Sequence, residues 1–130
     1  MTYLVQHIIS PGSNPYLHKR FSTKIPKHFR RCVGVTVVLE FADIADKFAL
    51  GVNDKDLQKP IGMLSISFDG RNTATLHVPV TLEPILFDGA IDYDIDVMLG
   101  SMGEISGHFL NNLSEQNITG LNIKLLYKLL

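Results

Sequence analysis

Hydrophobic and polar residues alternate along three long stretches of the chain, a two-residue period typical of half-buried β-strands. In residues 29–41 the odd positions from Val33 onward are apolar, whereas the even positions are mixed. The same alternation runs through residues 74–82 and 91–99. In the last stretch, apolar residues occupy the odd positions and aspartates most of the even ones. We therefore predict three long strands that each bury one face.

Further segments have the apolar composition of shorter strands. These segments are residues 3–9, 48–52, 61–68 and 117–129. Because Pro79 cannot donate a backbone hydrogen bond, its strand is expected at a sheet edge or with a bulge at that position. The final residues 121–130 are apolar up to the last one. We expect this segment to dock in a sheet or against a neighbouring molecule.

The dipeptide Asp69-Gly70 marks a β-hairpin. A two-residue turn here would place the apolar residues of the first strand on the polar face of the second. A three-residue loop, closed by Gly70 in the left-handed conformation, instead pairs Leu64 with Ala74 and keeps both apolar sets on one face. We predict this bulged turn.

Helical patterns are scarce. Residues 42–49 have room for one helical turn, and residues 103–116 are the one longer segment with near-helical spacing of apolar side chains. Gly107 weakens that helix by about 1 kcal/mol relative to alanine. An extended conformation of residues 104–110 stays open as the alternative.

The pattern as a whole predicts a single all-β domain over residues 1–130. Seven or eight short strands in 130 residues are typical of a β-sandwich. We prefer jelly-roll winding, with at most one or two short helices. Immunoglobulin-like winding is less favoured because the chain has one cysteine and no tryptophan.

Composition is that of a folded globular domain, 45% hydrophobic and 19% charged. The low charge content favours a surface that is partly covered by a partner. No segment approaches the roughly 20 apolar residues of a membrane-spanning helix, and the start of the chain lacks the pattern of a signal peptide. We expect a soluble protein of a reducing compartment, in the cytoplasm or, if the protein is viral, in the virion.

Charge is distributed unevenly along the chain. Residues 1–39 carry six positive charges and no negative ones, whereas residues 40–130 carry six positive and 13 negative charges. The six leading bases are candidate partner-binding residues, and residues 1–31 are a candidate docking arm of the domain. The bases are Lys19, Arg20, Lys24, Lys27, Arg30 and Arg31.

Three interpretations of this basic segment stay open. It could dock on an acidic protein surface, including a second copy of the chain, or it could be a solvated loop. It could also bind nucleic acid, with Phe21 and Phe29 as stacking groups. We favour docking, because a net charge of −1 is unlike the strongly basic character of dedicated nucleic-acid-binding domains.

Asp92, Asp94 and Asp96 alternate on one face of a predicted strand, about 7 Å apart. A solvated sheet face is the simplest interpretation of these like charges. A basic partner surface and a calcium ion are the alternatives, although a straight strand cannot curl around the ion as calcium-binding loops do.

The usual signatures of catalysis are absent from the sequence, including Gly-x-Ser-x-Gly, a glycine-rich phosphate loop and His-Glu-x-x-His. Cys32 lies on the mixed face of the longest predicted strand, and we expect a buried structural thiol. The histidines show no metal-ligand spacing; they are His7, His18, His28, His77 and His108. We therefore expect neither an enzyme nor a bound metal or other cofactor.

These features favour a structural, self-assembling β-sandwich. By analogy of fold, we hypothesise a minor capsid, vertex (penton) or spike-base protein of a virus particle, with further copies and other structural proteins as partners. The alternative is a carbohydrate-binding or adhesin-like module, which needs exposed aromatic side chains. An enzyme on a cupin-like barrel is least favoured because the histidines are scattered.

Overall fold

The computed structural model describes residues 2–9, 18–41, 60–68, 76–81, 90–99, 103–111 and 121–130. Within these ranges the chain forms eight β-strands and no helix. The strands are β1 (Thr2–Ile9), β2 (His18–Lys24), β3 (Arg31–Phe41), β4 (Pro60–Ser67), β5 (Leu76–Thr81), β6 (Ala90–Met98), β7 (Glu104–Asn111) and β8 (Leu121–Leu129).

The strands form two antiparallel sheets of four strands each, which confirms the all-β prediction. The first sheet has the order β1-β8-β3-β6, and the second sheet has the order β2-β7-β4-β5. Phe68, at the end of β4, meets Tyr127 of β8 edge-to-face, with ring centres 6.1 Å apart. Both side chains are almost completely buried. This contact places the hydrophobic core between the two sheets, as in a sandwich.

β8 lies at the centre of the first sheet, between β1 and β3. Its alternate side chains are fully buried, and those between them are half-buried. The buried residues are Ile123, Leu125, Tyr127 and Leu129. The prediction that the apolar C-terminal segment docks in a sheet is therefore confirmed.

A register shift in β3 decides which face Cys32 occupies. The register shifts between Cys32 and Gly34 relative to both β6 and β8. Relative to β8, Val33 is the extra residue of β3. An extra residue in a strand reverses its alternation, so Cys32 and Val35 both face the core. The predicted burial of the thiol is confirmed. Its placement on the mixed face is wrong, because the two-residue period does not continue through the bulge.

β7 occupies most of the segment with near-helical spacing. Residues 104–111 are extended, so the predicted helix is wrong there and the extended alternative is correct; residues 112–116 lie outside the described residues. Ile105 and Phe109 are buried on the same face as Gly107. A side chain at Gly107 would collide with the Ser65 carbonyl and the ring of Phe21. The glycine thus permits a close strand approach rather than weakening a helix.

β4 and β5 pair in a different register from the predicted one. Leu64 lies opposite Val78, four residues beyond the predicted partner Ala74. The predicted pairing is therefore wrong, because the connection is longer than a three-residue loop. The prediction that the apolar residues of both strands share one face is correct, since Leu64 and Ile66 lie opposite apolar residues. The turn at residues 69–70 lies outside the described residues.

Two further predictions have different outcomes. β5 forms an edge of the second sheet, as Pro79 predicts. The predicted helical turn at residues 42–49 and the predicted strand at residues 48–52 lie outside the described residues.

Candidate docking surface

Backbone hydrogen bonds hold the connection between β2 and β3 at one end of the two sheets. The N–H of Ile25 donates to the carbonyl of Gly103 at 2.7 Å, and the N–H of Leu99 donates to the carbonyl of Arg30 at 2.8 Å. The N–H of Arg30 donates to the carbonyl of Leu130 at 3.0 Å. The connection is thereby fixed to the ends of β6, β7 and β8.

The local sequence explains the shape of this connection. Ile25 is buried in the core, and Phe29 is half-buried against it. Between them, the N–H of Phe29 donates to the carbonyl of Pro26 at 3.1 Å, which closes a four-residue turn. Lys27 therefore sits at the tip of a turn that is anchored on both sides by apolar residues.

All six predicted bases are exposed, and they form two groups. Lys24, Lys27 and Arg30 lie at the end of the sheets just described, together with Arg31. Lys19 and Arg20 lie further along β2, about 13–17 Å from Lys24 by strand geometry. We call Lys24, Lys27 and Arg30 the basic end.

Arg31 differs from the other bases because it has an ion-pair partner within the chain. Its Nε lies 2.9 Å from Oδ1 of Asp96, with both side chains about half exposed or more. None of the other five bases forms an ion pair with a carboxylate of the described residues. Five of the six leading bases are thus without a paired carboxylate in the described part of the chain.

Two apolar side chains are exposed beside the basic end. Met98 is 62% exposed and Leu130 is 49% exposed. Met98 lies opposite Arg31 across the β3–β6 pair, and Leu130 is bonded through its backbone to Arg30. Exposed methionine and leucine surrounded by arginine and lysine resemble the apolar centre and polar rim of a protein–protein interface.

The acidic row of Asp92, Asp94 and Asp96 lies on the exposed face of β6, at the edge of the first sheet. Asp92 accepts a hydrogen bond of 2.5 Å from Oγ1 of Thr36, and Asp96 pairs with Arg31. Asp94 lies opposite Gly34, which has no side chain that could bind the carboxylate. Among the described residues, Asp94 has no cationic partner within ion-pair distance.

Two titratable groups, Cys32 and Tyr127, lie in the core of the first sheet. The thiol of Cys32 donates to the carbonyl of Gly34 at 3.4 Å, and burial raises its pKa. Burial, followed by the nearby Cys32, raises the pKa of Tyr127. Since only the thiolate is strongly nucleophilic, a buried thiol with a raised pKa is a structural group.

The residues that the structure describes contain no group of three or more side chains able to hold a metal ion. His28 is exposed near the basic end, and His77 and His108 lie on the second sheet; the side chains of His7 and His18 fall outside the described set. No helix in the described ranges is long and apolar enough to cross a membrane.

No protein family matches the sequence, and no curated protein is similar to it.

Proposed function

We propose that the protein is a non-enzymatic structural protein that assembles with copies of itself, and that its sheets are wound as a jelly roll. Each strand of the first half pairs with one of the second half: β1 with β8, β2 with β7, β3 with β6 and β4 with β5. A folded double ribbon of this kind supports jelly-roll winding, in which eight strands form two Greek keys across two sheets.

We place the protein in a virus particle, as a minor capsid, vertex (penton) or spike-base protein. This step is an analogy with capsid domains that have jelly-roll winding, and fold alone does not determine function. Independent support for assembly comes from the charged and apolar side chains that are exposed at the surface.

The observation that carries the proposal is the separation of opposite charges that form no ion pairs among the described residues. Lys27 and Arg30 have no carboxylate partner among the described residues, and Asp94 has no cationic partner there. The bases lie at one end of the sheets, and the acid lies on an edge strand. Two different complementary surfaces on one molecule produce head-to-tail contacts, which close into a ring when the rotation between copies allows it.

The exposed apolar side chains at the basic end strengthen this interpretation. Burying Met98 and Leu130 supplies a hydrophobic contribution of about 25 cal/mol per Å² of apolar surface. The surrounding charges supply orientation and choice of partner.

Reversal of charge at the basic end tests the proposal. In the variant K27E/R30E, like charges would face the acidic row, so we expect assembly to be lost while the fold is retained, because both side chains are exposed. Native mass spectrometry measures the assembly, and circular dichroism measures the fold. The matched control is K19E/R20E, which changes the net charge equally at two exposed bases of β2 that lie outside the basic end. Equal loss of assembly in both variants would contradict a specific role for the basic end.

A compensating substitution identifies the partner surface. Asp94→Lys, added to K27E/R30E, restores opposite charges across the proposed contact. We expect assembly to return in this triple variant. Assembly that stays lost would exclude Asp94 as the acidic partner.

The ligand-binding alternative has less support. Among the side chains whose burial the structure describes, Tyr3 is the one phenylalanine or tyrosine that is exposed. A single ring does not make the aromatic surface that stacks on a sugar.

A further inference from the structure

The outer face of the second sheet carries four polar residues in one line across its strands. Arg20 of β2 lies opposite His108 of β7. His108 lies opposite Ser65 of β4, and Ser65 lies opposite His77 of β5. Directly opposed residues on neighbouring strands have Cβ atoms about 5 Å apart and share a face. The line therefore crosses the whole sheet.

Ser65 forms the floor of a notch between two imidazole rings. It points away from the core, since its neighbours Leu64 and Ile66 are fully buried, yet it is only 3% exposed. The two histidines stand one strand to either side of it, so their Cα atoms are about 10 Å apart. The His77 ring, within hydrogen-bond distance of Oγ, is among the side chains that cover Ser65. We call the position between the two rings the notch and the rings its walls.

The serine fixes the orientation of one wall. Oγ of Ser65 lies 2.5 Å from Nδ1 of His77. When Ser65 donates to Nδ1, the neutral imidazole carries its proton on Nε2, and a protonated imidazole carries one there as well. In both states an N–H of His77 remains available to a ligand.

We propose that this notch binds a tetrahedral oxyanion, a phosphate or a sulfate group. His77 and His108 contact the anion from two sides, Arg20 contacts it from the rim, and Ser65 is a positioning residue for His77. Imidazole N–H and guanidinium groups are donors that form short, charge-assisted hydrogen bonds to such oxygens.

The composition of the notch argues against two other occupants. A metal cation is disfavoured because Arg20 adds a positive charge and no carboxylate joins the line. A serine nucleophile is disfavoured because Ser65 is covered, and the line contains no carboxylate to orient His77. The charged residues of the described strands nearest to the line on this face are Lys24 and Glu104, which lie opposite each other two rows away.

Nuclear magnetic resonance of the histidine rings tests the site directly. Inorganic phosphate and inorganic sulfate are titrated separately into the full chain, with sodium chloride of equal ionic strength as the reference. We expect the ring signals of His77 and His108 to shift saturably with at least one of the two anions, and the titration that saturates first identifies the anion.

Variants distinguish the notch from general attraction to a basic protein. His108→Gln and Arg20→Ala should each weaken binding by about tenfold or more, the usual effect of losing one charge-assisted hydrogen bond. His28→Gln removes an exposed histidine elsewhere and should leave the affinity unchanged. Ser65→Ala should preserve the fold, as judged by circular dichroism, and weaken binding through the loss of His77 orientation. Ring signals that do not move, or equal weakening by His28→Gln, would overturn the proposal.

Discussion

The two sheets differ in whether the charged side chains on their outer faces form ion pairs within the described residues. On the first sheet, charges meet within the chain: Arg31 pairs with Asp96 at 2.9 Å, and Lys124 pairs with Glu40 at 3.4 Å. On the second sheet, the centre is made of hydroxyl and imidazole groups, and the bases of the edge strand β2 form no ion pair among the described residues.

This difference shows that a charge imbalance along a sequence does not itself define a binding surface. Arg31 belongs to the leading group of bases, but β3 carries it to the first sheet, where Asp96 neutralises it. Lys27 and Arg30 lie only a few residues away and keep their charge available. Strand pairing thus decides which of the leading bases has an ion-pair partner within the chain and which remains available to another molecule.

The largest expected effect comes from the contact that both sheets share. Phe68→Ala removes one ring of the pair with Tyr127 and leaves a cavity between the sheets, which should lower the free energy of unfolding by about 3–5 kcal/mol. Phe29→Ala, at a half-buried ring beside the core, is the comparison and should cost clearly less. Urea denaturation measures both variants. A similar loss in the two would mean that the Phe68 contact does not join the sheets.

The sheets should also differ in their tolerance of alanine at glycine positions. Gly107→Ala in the second sheet places a methyl group against the Ser65 backbone and 2.7 Å from Cζ of Phe21. Overpacking of this kind should cost about 1–3 kcal/mol. Gly34→Ala in the first sheet meets only ordinary contacts, 3.5 Å and 3.6 Å from carbon atoms of Lys128.

We therefore expect Gly34→Ala to keep the wild-type stability or to raise it slightly, by restricting the unfolded chain. Thermal denaturation of the two variants side by side measures the contrast. Equal destabilisation would show that the strands of both sheets approach each other with the same tightness.

Alkaline pH should lower the stability of the fold through buried titratable groups of the first sheet. The pKa of Cys32 is raised in the folded protein above 9.0, its ordinary value. The folded state therefore holds the thiol proton more tightly than the unfolded state. The resulting contribution to the free energy of unfolding is fully present below about pH 9 and is lost as the pH rises further. The raised pKa of Tyr127 acts in the same direction.

Urea denaturation at about pH 7 and at about pH 10 measures this loss. Cys32→Ala removes one of the two groups, so its stability should depend less on alkaline pH than that of the wild type. The same slope in both proteins would show that the thiol does not contribute.

The smallest effect is expected at the exposed ion pair of the first sheet. Arg31→Ala should change the free energy of unfolding by at most about 1 kcal/mol, since water and salt screen exposed pairs. Because its charge is already matched by Asp96, the variant should also keep its assembly. Loss of assembly in Arg31→Ala would show that Arg31 takes part in the contact between copies, together with the basic end.

Alternation predicted the strands well where it continued without interruption. In β6 and β8 every second side chain is the more buried one, as the sequence pattern indicates. The pattern was misleading where a tertiary contact decides the conformation. The bulge of β3 at Val33, relative to β8, turns Cys32 inward. The ring of Phe21 over Gly107 explains a glycine in the interior of a strand.

The surface was predictable only in part. The exposure of all six leading bases follows from their charge, but the pairing of Arg31 with Asp96 requires the neighbouring positions of β3 and β6. The line through Ser65, His77 and His108 could not be recognised from the sequence, because it joins residues on three strands and the predicted register of β4 with β5 was wrong.

The mass of the wild-type particle in solution, measured by light scattering at low and at high salt, tests self-assembly through unpaired charges most directly. At about 0.02 M salt we expect a mass that is a multiple of the 14.5 kDa chain, and at about 0.5 M salt we expect the mass to fall because exposed charges are screened within a few ångströms. A protein that has the mass of one chain under both conditions would contradict the account.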